Sequence, residues 1–167
     1  MLLENDLELI ENKKTTFYQI KQSIDNLYKY NAIQVRLRSR LDPGEPFVGL
    51  VKYKKYWSNH IFCYIKRFVR PEKANKLIGT SIYSIQNPEI RHPKYIKKLT
   101  NGFYLVPSST LNWANLAILV DRDSYLRIII KRAEETKSKK YINGFKNVEI
   151  ELNSNWWSEN NLSLIHI

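Results

Sequence analysis

Ala32-Ile33-Gln34-Val35-Arg36-Leu37-Arg38-Ser39-Arg40 alternates apolar and polar side chains, the pattern of a β-strand half buried against a core. Ile33, Val35 and Leu37 face one way, and Gln34, Arg36 and Arg38 the other, so the strand is expected to turn two arginines outward. Upstream, Phe17, Ile20, Ile24, Leu27 and Tyr28 recur at helical steps, with Lys21, Gln22, Asp25, Asn26 and Lys29 on the opposite face. Thr15 or Thr16 is placed to cap this helix and Asn31 to stop it. Leu3, Leu7 and Ile10 outline a shorter helix ahead of it, over Leu3 to Asn12. Downstream, Asp42-Pro43-Gly44 is a turn: Pro presets one dihedral and Gly permits positive φ. Phe47 to Tyr53 and Ile61 to Val69 then read as two more strands, joined through Trp57-Ser58-Asn59-His60. An N-terminal helix followed by a three-stranded antiparallel sheet makes the class α+β.

Arg70-Pro71 ends that first part, since Pro cannot donate into a central ladder. Glu72 to Arg91 is turn-rich and links the two halves; Pro93 to Leu99 reads as one or two helical turns opened by Pro. Gly102-Phe103-Tyr104-Leu105-Val106 is a short strand that runs into Pro107-Ser108-Ser109-Thr110-Leu111-Asn112, a turn crowded with hydroxyls. Trp113 to Leu119 reads as a short helix, Asp121 to Ser124 as a turn, and Tyr125 to Ile130 as an apolar strand. The charged tract Lys131 to Lys140 is helical or a solvated linker, and Lys146 to Leu152 alternates weakly as a strand. Trp156-Trp157, in polar surroundings, docks on a neighbour or anchors the tail to the domain. The chain thus divides into an N-terminal α/β part (1–71), a small C-terminal α+β part with short strands (72–130) and a basic extension (131–167).

The charge is the strongest global fact. Lys and Arg number 27 against 16 Asp and Glu, a formal net charge of +11, which points to a polyanionic partner with nucleic acid ahead of acidic lipid. Cations cluster as Lys52, Lys54 and Lys55, then Lys66, Arg67 and Arg70, with Tyr53, Tyr56 and Trp57 between them. Such clusters are either a solvated face or, with aromatics interleaved, a nucleic-acid surface. The single Cys63 excludes an intramolecular disulfide and a Cys-based zinc site; it reads as a buried small hydrophobe on a strand. No apolar run approaches a transmembrane length, and the acids within Met1 to Glu8 do not suit a transit peptide. Heavy use of Asn, Lys, Ile and Tyr with five Gly fits an AT-rich genome such as that of an organelle, a parasite or an endosymbiont. Leu162-Ser163-Leu164-Ile165-His166-Ile167 is similar to the translation of a transposon-derived sequencing adaptor, which would leave Asn161 as the last natural residue; a genuine apolar tail is the other reading.

The order of these pieces resembles the small-subunit ribosomal protein S eight family. Tyr30-Asn31-Ala32-Ile33 matches its helix-to-strand step and Val51-Lys52-Tyr53 its strand end. Ile65-Lys66-Arg67-Phe68-Val69-Arg70-Pro71 resembles its Arg-Pro hinge, and His92-Pro93-Lys94-Tyr95 its Leu-Pro-x-Val segment. Gly102 to Thr110 resembles its Ser-Thr-Ser motif, and Asp123-Ser124-Tyr125-Leu126 falls where its terminal Gly-Gly-Glu strand begins. The resemblance spans Thr16 to Ile130. It departs at Pro107, at Leu111 in place of Gly, at Asp123-Ser124 in place of paired glycines, and in an insertion between Arg70 and His92.

The resemblance implies a structural constituent of the small ribosomal subunit, not an enzyme, with no cofactor or metal. It implies binding to the central domain of small-subunit rRNA beside neighbouring ribosomal proteins. The location it implies is a mitochondrial ribosome, organelle-encoded, or else a plastid or a bacterial cytoplasm. By position it implies RNA contacts from Ser108, Ser109, Thr110 and Asn112, with Lys52, Lys54, Lys55, Arg67, Arg70 and Lys94 as cationic support. Compact hydroxyls suit the shallow minor groove of RNA, and cations supply salt-dependent affinity. The alternatives are a capped turn of structural hydroxyls, a free-standing RNA-binding protein, a protein docking on a membrane or another protein, and a metal-dependent nuclease. The nuclease would use Asp121 and Asp123 with Glu134 or Glu135; His60, His92 and His166 have no metal-ligand spacing, and no nucleophile or phosphate-loop motif is present.

Overall fold

The computed structural model describes residues 11–40, 43, 48–114, 117–136, 141–142, 145–146, 148–152, 155–160 and 162–166. Helix α1 (Lys13–Lys29) starts where Asn12 Oδ1 accepts the Thr15 N–H at 3.0 Å, so the cap is Asn12 rather than Thr15 or Thr16. It stops at Asn31, whose φ of 46° is the left-handed conformation that Asn tolerates. Strand β1 (Gln34–Arg36) follows. Three helices come next, α2 (Val48–Trp57), α3 (Ile61–Val69) and α4 (Pro71–Asn75), the last with Pro71 in its first turn. A 3-10 segment (Ile78–Tyr83) and α5 (Pro88–Arg91) lead to a hairpin of β2 (Lys97–Lys98) and β3 (Tyr104–Pro107), turned by Gly102 at φ 85°. Ser108–Thr110 forms a 3-10 turn before β4 (Ile118–Leu119). Helix α6 (Arg122–Ser124) continues through a π-helical stretch (Tyr125–Ile130) into α7 (Lys131–Glu135). Then come β5 (Tyr141–Ile142), β6 (Phe145–Lys146), α8 (Val148–Leu152), α9 (Asn155–Glu159) and β7 (Ser163–His166).

The chain is α+β, around a five-stranded mixed sheet in the order β2-β3-β7-β1-β4. Only β1 and β7 run parallel, with Val35 opposite Ile165; the other pairings are antiparallel. The sheet takes strands from each of the three segments into which the sequence divides at 71 and 130. The register puts Val35, Leu105, Leu119 and Ile165 on one face, under Leu27 of α1 with Leu99 and Phe103. The other face carries Gln34, Arg36, Tyr104, Val106, Ile118 and Leu164. Ile78, Ile82, Trp113, Ile129, Leu152 and Trp157 close over it. Each of these large side chains contributes on the order of 1.5–3 kcal/mol by burial.

Because both faces are covered, β1 is buried throughout, and Arg36 lies inside rather than outward. Only this first strand of the expected antiparallel meander forms. The stretches 48–53 and 61–69 are helices, and Phe47 lies outside the described residues. The strand readings took apolar side chains to be buried. In α3, Ile61, Phe62, Tyr64, Ile65, Phe68 and Val69 face solvent, Phe68 at 89% exposure, while Cys63 and Arg67, four residues apart, face inward. Cys63 is buried as expected, but on a helix. In α1 the inward side chains are Ser23, Asn26 and Leu27, whereas Phe17, Ile24 and Tyr28 are exposed.

Tyr125–Ile130 is helical because Asp121 accepts the Ser124 N–H at 2.8 Å and nucleates the turn, overriding the strand preference of Ile128-Ile129-Ile130. Residues 148–152 are likewise a helix. Of the stretch read as a helix over Trp113 to Leu119, Ile118 and Leu119 are β4 instead, pairing with β1. Pro93 opens one helical turn, in which the Tyr95 and Ile96 N–H groups donate to the His92 carbonyl at 3.0 and 2.9 Å, but Lys97–Lys98 is a strand rather than its continuation; Pro88 opens α5. The helix expected over Leu3 to Asn12 lies, up to Ile10, outside the described residues, as do Asp42, Gly44 and 137–140. Trp157 anchors the tail: it is buried and its Nε1 donates to the Leu111 carbonyl at 2.7 Å.

The segment similar to an adaptor supplies β7, the middle strand. Ending the chain at Asn161 would remove β7, separating β3 from β1 and taking the fully buried Leu164 and Ile165 out of the core, so that variant is expected to lose its cooperative thermal transition. An unchanged melting curve would show that the sheet closes without residues 162–167. Resequencing the gene's 3′ end shows which residues the natural chain has there.

Candidate nucleic-acid interface

The hydroxyl turn is a capped turn. Ser108 is fully buried; its Oγ donates to the Trp157 carbonyl at 2.7 Å and accepts from the Leu162 N–H at 2.9 Å. Thr110, also buried, donates to the Pro107 carbonyl at 2.8 Å. Both hydroxyls are used internally, so the contacts expected from Ser108 and Thr110 are not offered at the surface. Ser109 is half-buried and Asn112 exposed.

Asn112 borders a cleft of about 420 Å³. Arg36 and Arg38, Lys52 of α2 and Lys76 after α4 line it, with Glu149 of α8 as the one carboxylate among the lining residues. Arg36 is 8% exposed; its Nη2 donates to the Asn112 carbonyl, and its Nε–H has no partner among the described residues. Burial lowers its pKa, while Tyr83 and Glu149 push it up, and a guanidinium remains charged through such shifts. Taking a cation out of water costs several kcal/mol, offset only by such partners. Tyr83 has its pKa raised by burial, partly countered by Arg36 and Arg38, and its hydroxyl lies 2.9 Å from His166 Nδ1.

Of the cations that the resemblance implies as RNA contacts, only Lys52 reaches the cleft wall. Lys54 and Lys55 are exposed on α2, Arg70 is exposed between α3 and α4, and Lys94 is exposed beside the Tyr95 ring. Arg67 is turned inward: Nη1 donates to the Tyr56 carbonyl at 2.5 Å and the guanidinium packs 4.8 Å from the Trp57 ring and 4.2 Å from the Tyr64 ring. It braces α2 against α3. Arg36, Arg38 and Lys76 were not picked as site residues. The alternation that sent Arg36 outward presumed one bare sheet face, and Lys76 sits in a stretch without periodicity.

His92 is a core histidine. Its Nε2 lies 3.0 Å from the Tyr53 hydroxyl and its ring meets Trp57 edge-on at 4.7 Å. Burial, then the charges of Arg91 and Arg67, bring its pKa down to about 4. Asp121 serves as a helix cap, its pKa lowered mainly by the Ser124 hydrogen bonds, and Asp123 pairs with Arg122 at 3.4 Å. Among the described residues no group of three or more His, Cys, Asp or Glu could hold a metal ion. Among the described residues no helix is long and apolar enough to cross a membrane. No protein-family model, curated protein or solved structure matches the chain.

Ser108→Ala strands the Trp157 carbonyl and the Leu162 N–H, and is expected to cost about 1–3 kcal/mol by chemical denaturation, with any loss of RNA affinity appearing only alongside that loss of stability. A loss of affinity at unchanged stability would return the turn to the interface. His92 gives a pH dependence. The unfolded chain takes up its proton near 6.5 and the fold only near 4, so its contribution is complete above 6.5 and is lost as pH falls toward 4. The loss reaches about 3 kcal/mol. His92→Gln should flatten that part of the stability profile; an identical profile in the variant would place the titration elsewhere.

Proposed function

We propose that the protein binds RNA through phosphate contacts at the cationic cleft and the exposed lysines and arginine around α2 and α3. The observation that carries this is the cleft itself, four cations against one carboxylate on a chain of net charge +11. Exposed aromatics support RNA with unpaired bases: Phe17, Tyr18 and Tyr28 on α1 and Phe62, Tyr64 and Phe68 on α3 offer rings for stacking.

More narrowly, we propose small-subunit rRNA, with the protein a constituent of that subunit. The support is the order of sequence motifs alone. Val51-Lys52-Tyr53 and Ile65 to Val69, which stand for strand ends in the family pattern, are on helices here, so the element order lends it nothing.

Purification from cells followed by sequencing of co-isolated RNA is expected to return small-subunit rRNA. Other RNA in its place would keep RNA binding and remove the ribosomal assignment; no RNA would overturn both. In vitro, replacing Lys54, Lys55 and Arg70 with Gln should flatten the log–log salt dependence of single-strand binding by about 0.7 for each lost phosphate contact. An unchanged slope would take these cations out of the interface.

A further inference from the structure

We propose that the cleft beside β1 takes a terminal phosphate, the phosphomonoester of a mononucleotide or of an RNA end. Its RNA-end form rests on the RNA-binding reading above; its mononucleotide form does not.

Charge selects the group. Four cations against Glu149 leave three positive charges on the lining, the balance that a phosphomonoester meets better than an internal phosphodiester. The monoester carries about −1.5 to −2 at neutral pH, the diester a single charge. Geometry agrees. Arg36 is more than nine-tenths buried and held by the Asn112 carbonyl, with its Nε–H left without an acceptor among the described residues. A guanidinium fixed in this way offers a planar donor set for phosphate oxygens and loses little side-chain freedom on binding. Lys52 and Lys76 make no ion pair among the described residues and can close on the same group as mobile point charges.

A bare phosphate would leave most of the cleft unfilled. About 420 Å³ lies within the range of small-molecule sites, and Val48, Leu77, Leu111 and Trp113 give the cleft an apolar side where a sugar or base can rest.

Binding of a short single-stranded RNA is to be compared in three forms, with a 5′-phosphate, a 3′-phosphate and hydroxyls at both ends. AMP against adenosine forms a separate arm. A terminal phosphate is expected to tighten RNA binding about tenfold, roughly the effect of one charge-assisted contact. The gain should vanish in Lys52→Gln and Lys76→Gln at unchanged melting temperature, and persist in Lys94→Gln, which lies outside the lining. Arg36→Lys is informative only where the variant still melts cooperatively, so the two lysine variants decide. Equal affinity for all three RNA forms, with AMP no better than adenosine, overturns the proposal and leaves RNA binding in place. A phosphate gain untouched by both lysine variants also overturns it, by placing the phosphate elsewhere. AMP binding that depends on Lys52 and Lys76, without any RNA binding, upholds the cleft as a mononucleotide site and removes the RNA reading.

Discussion

Burial of β1 on both faces is the constraint on which the rest depends. Once β7 and β4 flank Gln34-Val35-Arg36 and helices cover the sheet on either side, the strand has no solvent face for its polar residues. Gln34, Arg36 and Tyr104 then share an interior surface, and the Gln34 amide, the Arg36 Nε and the Tyr104 hydroxyl have no partners among the described residues. Each unmet group costs on the order of 1–3 kcal/mol. A purely structural strand would carry apolar residues at 34 and 36, as it does at 35. Of the three, Arg36 lines the cleft, and a ligand that accepts hydrogen bonds from it would recover part of this cost.

The helices show the complementary imbalance. α3 turns Cys63 and Arg67 inward and six apolar or aromatic side chains outward, and α1 buries Ser23 and Asn26 while exposing Phe17, Ile24 and Tyr28. Exposed apolar area of this extent, rimmed by Lys66 and Arg70, marks a surface made to be covered. Arg67 makes the arrangement tenable: stacked on Trp57 and Tyr64 and bonded to the Tyr56 carbonyl, it fills the inner side of α3 that an apolar residue would otherwise occupy.

These inversions also explain what was legible in the sequence. The stops were readable because they are local: Asn31 at positive φ, Gly102 in the hairpin, Pro71 opening a helix. β1 and β3 were readable because their alternation survives, although the environment of the polar half of β1 did not follow from it. The helices α2, α3 and the Tyr125 to Ile130 run were misread because Ile, Val, Phe and Tyr are prominent in them, and those residues favour strands only when the pleated face is buried. Lys52 and Asn112 were found from charge and motif position. Arg36 and Arg38 required knowing which face of the sheet is closed, which is tertiary information, and Lys76 lies after α4 in a stretch without periodicity.

The hydroxyl turn gains a different importance from the one its sequence suggested. Ser108 and Trp157 lock Pro107 to Leu111 against the end of the chain, and Trp157 holds the Leu111 carbonyl. The next residue, Asn112, is thereby delivered with its carbonyl on Arg36. Gly79 lets the 3-10 segment approach this turn: a Cβ there would stand 3.0 Å from Leu111 Cβ and 3.2 Å from the Thr110 carbonyl oxygen. Thr80, one residue on, lines the cleft together with Leu111 and Asn112. The turn therefore acts on a ligand through position. Its hydroxyls fix the wall, and the wall holds the guanidinium that lines the cleft.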